Sequence, residues 1–159
     1  EKIKELFIQA LSRLLTNRDS LLEDGRLILK ELTDTATIDN ECEELLDEMD
    51  VVAGLIQKCV NENAVQTMNQ EDYIARYNAL VERHEKAQNR YETLQKKRNR
   101  RLQQADVMSG FLFAIAELDT LQLKFDPALW HATIDHVTVY ADERLVFRFK
   151  NGSEVEVRV

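Results

Sequence analysis

Two runs of apolar residues, spaced alternately three and four apart, fill the middle of the chain, and few folds satisfy both. The first run is Cys42, Leu45, Met49, Val52, Ile56 and Cys59; the second is Tyr73, Tyr77, Leu80, His84, Ala87, Tyr91 and Leu94. Such spacing lays a narrow apolar seam along one side of an α-helix, as in a coiled coil. The runs are separated by a break around Ala64 to Asn69. Together they predict a long antiparallel coiled-coil hairpin over residues 38–105. Asn69 suits the cap of the second helix, and its first turn, Gln70-Glu71-Asp72, suits the positive helix end.

Matching the seams antiparallel sets Cys42 opposite Leu94, Leu45 opposite Tyr91, Met49 opposite Ala87, Val52 opposite His84, Ile56 opposite Leu80 and Cys59 opposite Tyr77. On one flank this register faces Glu41 with Lys97, Glu48 with Arg90 and Glu62 with Arg76, and leaves Leu55 opposite Arg83 as a mismatch. Exposed ion pairs contribute little energy each, but they select one register against others. The other flank is uncharged: Leu46, Ala53 and Val60 face Gln88, Val81 and Ile74, with Val65 and Met68 at the turn. An apolar stripe gains by leaving water. Either other helices of the chain cover it, the expectation near the base, or a partner does, the expectation at the tip. A limb of about two dozen residues reaches roughly 35 Å, further than so short a chain easily covers. The candidate interface between arms is Leu46, Ala53, Val60, Val65, Met68, Ile74 and Val81.

The flanking segments read as a small α+β base. Residues 1–37 form a helical segment: an amphipathic helix carrying Ile3, Leu6, Phe7, Ala10, Leu11, Leu14 and Leu15, a break at Thr16–Asp19, and a second helix with Leu21, Leu22, Ile28, Leu29 and Leu32, weakened by Gly25. Thr33–Thr37 reads as a linker. Residues 106–159 complete the base. Phe111, Leu112, Ile115, Ala116, Leu118 and Leu121 mark another helix, with a kink expected at Ser109-Gly110. Asp126-Pro127 is a cap followed by a first-turn proline. From His136 the apolar period becomes two: Val137 and Val139, then Leu145, Phe147 and Phe149, then Val155, Val157 and Val159. Turns at Ala141–Glu143 and Asn151-Gly152 make this a three-stranded antiparallel meander, with Trp130 as its lid. The fold class expected is mainly α with a small terminal β-meander.

Function classes narrow by exclusion. With 44% hydrophobic and 31% charged residues, one proline and four glycines, the chain suits a helix-rich soluble protein. No apolar run reaches membrane-spanning length and no signal-peptide pattern opens the chain. A first residue of Glu1 rather than Met suits an excised fragment. A net charge of −8 argues against wrapping nucleic acid, since affinity there comes from cations on phosphates. The exception is Lys96-Lys97-Arg98-Asn99-Arg100-Arg101. It reads first as a solvated face continuing the flank pairing, and second as a set of phosphate contacts through Lys96, Lys97, Arg98, Arg100 and Arg101. Cys42 and Cys59 read as small seam hydrophobes, their unpaired thiols fitting a reducing cytoplasm. No glycine-rich phosphate loop, GxSxG or HExxH is present. His131, Asp135 and His136 straddle a helix-to-strand junction at poor metal spacing. Tyr73, Tyr77 and Tyr91 at helical spacing read as core before they read as base-stacking platforms. No enzyme is expected, and no cofactor.

The segment Asn69-Gln70-Glu71-Asp72-Tyr73-Ile74-Ala75-Arg76-Tyr77-Asn78-Ala79-Leu80-Val81-Glu82-Arg83 resembles the carboxy-terminal region of large serine recombinases, the resolvase/invertase superfamily of site-specific recombinases. Phe125-Asp126-Pro127-Ala128-Leu129-Trp130, Val137-Thr138-Val139-Tyr140 and Phe147-Arg148-Phe149-Lys150-Asn151-Gly152-Ser153-Glu154-Val155 resemble the closing motif of that region. In that family an amino-terminal domain carries the serine nucleophile, further domains (one bearing zinc) bind the attachment site, and a coiled-coil arm projects from the zinc-bearing domain. Arms of different subunits meet to promote synapsis and restrain the reverse reaction. This sequence departs from the family in lacking the catalytic domain and the zinc-ligating cysteine pairs. The resemblance therefore implies a non-catalytic module, with zinc expected upstream in a parent recombinase. Its implied partners are other subunits through the arm and DNA through the parent, with no membrane; the implied location is the bacterial cytoplasm, at the nucleoid. Two alternatives stand beside it: a DNA-contacting module using the basic cluster and terminal sheet, and an unrelated cytoplasmic scaffold.

Overall fold

The computed structural model describes residues 1–66 and 69–159. The chain is mainly α-helical and ends in a small antiparallel sheet. In order come α1 (Lys2–Leu14), a 3-10 turn (Leu15–Asn17), α2 (Arg18–Thr33), α3 (Ala36–Val65), α4 (Gln70–Ala116), α5 (Pro127–Thr133), β1 (Ile134–Val139), β2 (Arg144–Phe149) and β3 (Glu154–Arg158). By contact the chain divides into two units, residues 1–33 with 102–159 and residues 34–101. α4 contributes to both. The division falls about one helical turn earlier at each end than the sequence pattern of 38–105 places it.

The first unit has a closed core. Leu6, Phe7, Ala10 and Leu11 are spaced to share one face of α1, and all four are buried. They meet Phe111 and Ile115 of α4 and Phe147 and Phe149 of β2, each fully buried. Trp130 of α5 packs 5.0 Å from Phe7 and 6.3 Å from Phe147, ring centre to ring centre. The residue foreseen as a lid is therefore the joint between helix and sheet. Asp126 caps α5 by accepting from the Ala128 amide at 2.8 Å. Gly25 of α2 is buried against Leu112, which a Cβ there would strike. The glycine that weakens α2 is what lets it approach α4. Ile3 and Ile28, expected in this core, remain exposed.

The sheet order is β1-β2-β3, antiparallel throughout. Gly152 closes the β2–β3 turn at φ 88°, a backbone region that suits glycine. β1 begins at Ile134, earlier than the period-two pattern shows, because the register shifts between Ile134 and His136. The extra residue lets Ile134 and Val137 face the core together despite their odd spacing. Val139 and Val159, read as members of the apolar face, lie exposed where that face runs past its cover.

The helix α4 continues unbroken through Ser109-Gly110. A helical glycine costs about 1 kcal/mol, less than the roughly 1.5–3 kcal/mol gained by burying one large apolar side chain. Met108, Phe111, Leu112 and Ile115 are all buried on that stretch. The helix also stops at Ala116, well before Leu121, which is exposed. Arg18 donates to the carbonyls of Ala116 and Leu118, and Asp119 accepts from the Leu121 amide at 2.9 Å, turning the chain. The linker foreseen at Thr33–Thr37 shrinks to Asp34 and Thr35.

Candidate functional site

The second unit is the helical hairpin, with α3 antiparallel to residues 70–101 of α4. Every seam residue is buried or half-buried. Cys42, Val52, Cys59, Ala87 and Leu94 are buried, and Leu45, Met49, Ile56, Tyr73, Tyr77, Leu80, His84 and Tyr91 are intermediate. Cys42 and Leu94 share a buried cluster with Ile38, and Leu45 and Tyr91 pack against it. The Asn69 side chain accepts from the amides of Glu71 at 2.9 Å and Asp72 at 3.4 Å, so it caps α4.

The charged flank closes differently from the sequence register. Glu62 pairs with Arg76 at 3.0 Å, as spaced. Glu41, however, takes Arg90 at 2.7 Å instead of Lys97, and Glu48 takes Arg83 through two hydrogen bonds instead of Arg90. Each glutamate reaches the arginine one heptad nearer the turn. Both diagonals satisfy heptad spacing, and the long forked guanidinium reaches the nearer carboxylate along the groove. This choice dissolves the apparent mismatch of Arg83 with Leu55. The hydrogen bond from Arg90 holds the Glu41 carboxyl below its ordinary range, with Lys97 still close enough to help, and that from Arg83 does the same for Glu48. Asp39 is lowered first by the Thr35 hydroxyl, which donates at 2.7 Å, and then by Arg98 at 2.7 Å.

The opposite flank carries no ion pair among its stripe residues. Leu46, Ala53, Val60 and Ile74 are exposed, Val81 is half-buried, and Val65 at the end of α3 is 84% exposed. Met68, assigned to the same surface, lies outside the described residues. One flank is thus locked by charge and the other left apolar.

The basic cluster is divided. Arg98 is engaged with Asp39, Arg101 is half-buried, and Lys96, Lys97 and Arg100 are exposed. On the terminal sheet the arginines face carboxylates: Arg148 lies between Asp135 and Glu154, Arg144 between Asp142 and Glu156, and Arg158 beside Glu156. Among the described residues no group of three or more His, Cys, Asp or Glu could hold a metal ion. His136 instead pairs with Asp135 at 3.1 Å, and the His131 carbonyl accepts from Lys150. Cys42 and Cys59 are buried free thiols. No described helix is long and apolar enough to cross a membrane.

Sequence reasoning missed two features. Arg83, set down as a mismatch, is a clasp of the hairpin. Phe113, 70% exposed on α4, lies outside the apolar pattern of its helix, so periodicity passes over it. Comparison of the chain with protein-family models, with curated proteins and with solved structures yields no match.

Proposed function

We propose that this chain is the non-catalytic, arm-bearing module of a site-specific serine recombinase, and that its hairpin joins subunits during synapsis. The observation that carries the reading is the asymmetry of the hairpin: one flank sealed by ion pairs, the other an exposed apolar stripe reaching Val60, Val65 and Ile74 beside the turn. Burial of such a stripe between two arms removes apolar surface from water at about 25 cal/mol per Å². The interface is small and the contact correspondingly weak, which suits an assembly that must form and come apart. The acidic outer face of α3, with Glu43, Glu44, Asp47 and Asp50 all exposed, is repelled by DNA and leaves the arm available to another arm.

Sedimentation velocity over a wide concentration range tests the reading, with Val60→Glu/Ile74→Glu alongside the wild type. The wild type associates, and the double variant loses association while its helical circular dichroism is unchanged. Equal association of the two proteins refutes the arm contact. The second reading, DNA contact, draws on the exposure of Lys96, Lys97 and Arg100 on neighbouring turns of α4. It requires duplex binding that falls steeply with salt and weakens when those three residues become Gln. The matched charges of the sheet make the sheet a poor contributor to such binding.

A further inference from the structure

The apolar stripe of the hairpin changes its border along its length. Beside Val60 and Ile74 the bordering positions are Gln57 and Asn78, both uncharged. Beside Leu46, Ala53 and Val81 they are Glu43 and Asp50 on α3 and Glu85 and Glu92 on α4, all four exposed. Among the described residues none of these four carboxylates joins an ion pair, whereas Glu41, Glu48 and Glu62 on the opposite flank each close on an arginine. Glu92 accepts instead from Gln88 at 3.2 Å. Heptad position puts no lysine or arginine on the striped side over residues 43–60 or 74–92. Lys58 and Lys86 fall toward the other flank and are engaged with Glu62 and Glu82.

We infer that the middle of this stripe docks a basic amphipathic helix of another polypeptide, laid between α3 and α4 with its apolar side on Leu46, Ala53 and Val81. The charges decide the occupant. Nucleic acid would meet carboxylates on both borders. A second copy of the same face, however turned, would bring more carboxylates and no cation to answer them. A helix with Lys or Arg on both sides of an apolar stripe meets neither objection. Its apolar side removes the stripe from water at about 25 cal/mol per Å², and its cations close on the carboxylates that the hairpin leaves unpaired. Glu43 and Asp50 stand one heptad apart, as do Glu85 and Glu92, about 10 Å along either helix. The partner therefore carries cations seven residues apart along each side of its stripe. The inference uses a different part of the stripe from the arm contact at Val60, Val65 and Ile74, and a different partner, so it does not depend on that contact.

The test is fluorescence anisotropy of a labelled helical peptide of about three heptads, with Leu at its apolar positions and Lys on both sides, titrated with the full chain. Two control peptides carry Glu in place of Lys, or the same composition scrambled so that no apolar face forms. The Lys peptide binds, and the controls bind at least about tenfold more weakly. The variant Glu43→Gln/Asp50→Gln/Glu85→Gln/Glu92→Gln, with unchanged helical circular dichroism, loses about tenfold in affinity for the Lys peptide and much of its salt dependence. Leu46→Gln/Ala53→Gln, two exposed positions, weakens binding but keeps the salt dependence. No binding of the Lys peptide, equal binding of the scrambled peptide, or an affinity untouched by the four Gln substitutions overturns the inference. The arm contact fails by a different readout, equal sedimentation of the wild type and its own double variant.

Discussion

The two units are held together in different ways. In the unit of residues 1–33 and 102–159, Phe7, Leu11, Phe111, Ile115, Phe147, Phe149 and Val157 are fully buried and drawn from two helices and a sheet. Among the described residues of the hairpin, Val52 and Cys59 are the large side chains that reach that state. A two-helix layer has only one seam to bury, so most seam residues keep one side in water. The first unit has a core that determines its own packing. The hairpin has a line of contacts whose register needs help from charge and whose remaining apolar flank has no partner inside it. Regions of low internal burial open most readily, and binding surfaces are drawn from them.

The contrast can be broken most strongly at Phe147. Phe147→Ala should cost about 3–5 kcal/mol, the usual range for a large aromatic removed from a well-packed core. Denaturant melts followed by Trp130 fluorescence read this, since the indole lies 6.3 Å from the lost ring. Hairpin amides should keep most of their hydrogen-exchange protection, and collapse of both units together would show that the contrast is false. A smaller effect is expected at Val52. Val52→Ala should cost about 1–3 kcal/mol, with protection lost along α3 and residues 70–101 of α4 while the β1–β3 amides stay protected. Smallest is the contribution of charge. Asp39, Glu41 and Glu48 are all held below their ordinary pKa in the folded hairpin. Their stabilisation is therefore present above the unfolded values of about 4 and lost as pH falls through the depressed folded values. Melts at stepped pH should show the hairpin weakening only in acid, and Glu48→Gln should flatten that slope. A slope unchanged by Glu48→Gln would mean that the Arg83 clasp does not bear on register.

Much of this was readable without coordinates wherever the signal was local or strictly periodic. The seam residues from Cys42 to Leu94, the Asn69 cap, the Asp126-Pro127 start and the Asn151-Gly152 turn each depend on a few neighbouring residues, and each stands where the spacing put it. The misreadings share another origin. Ile134 looks out of phase with Val137 until a bulge supplies the missing residue. Leu121 looks like a continuation of its helix until Arg18, from the other end of the unit, takes the carbonyls that end it.

By itself the sequence determined that this chain forms a helical hairpin with one apolar flank, followed by a short antiparallel meander, because hydrophobic period and turn chemistry act over a few residues. Only the tertiary structure decided which arginine closes on which glutamate, since the two diagonals differ by a whole heptad and side-chain reach chooses between them. It also left Leu46, Ala53, Val60 and Ile74 exposed on the hairpin, because two helices bury only the seam between them.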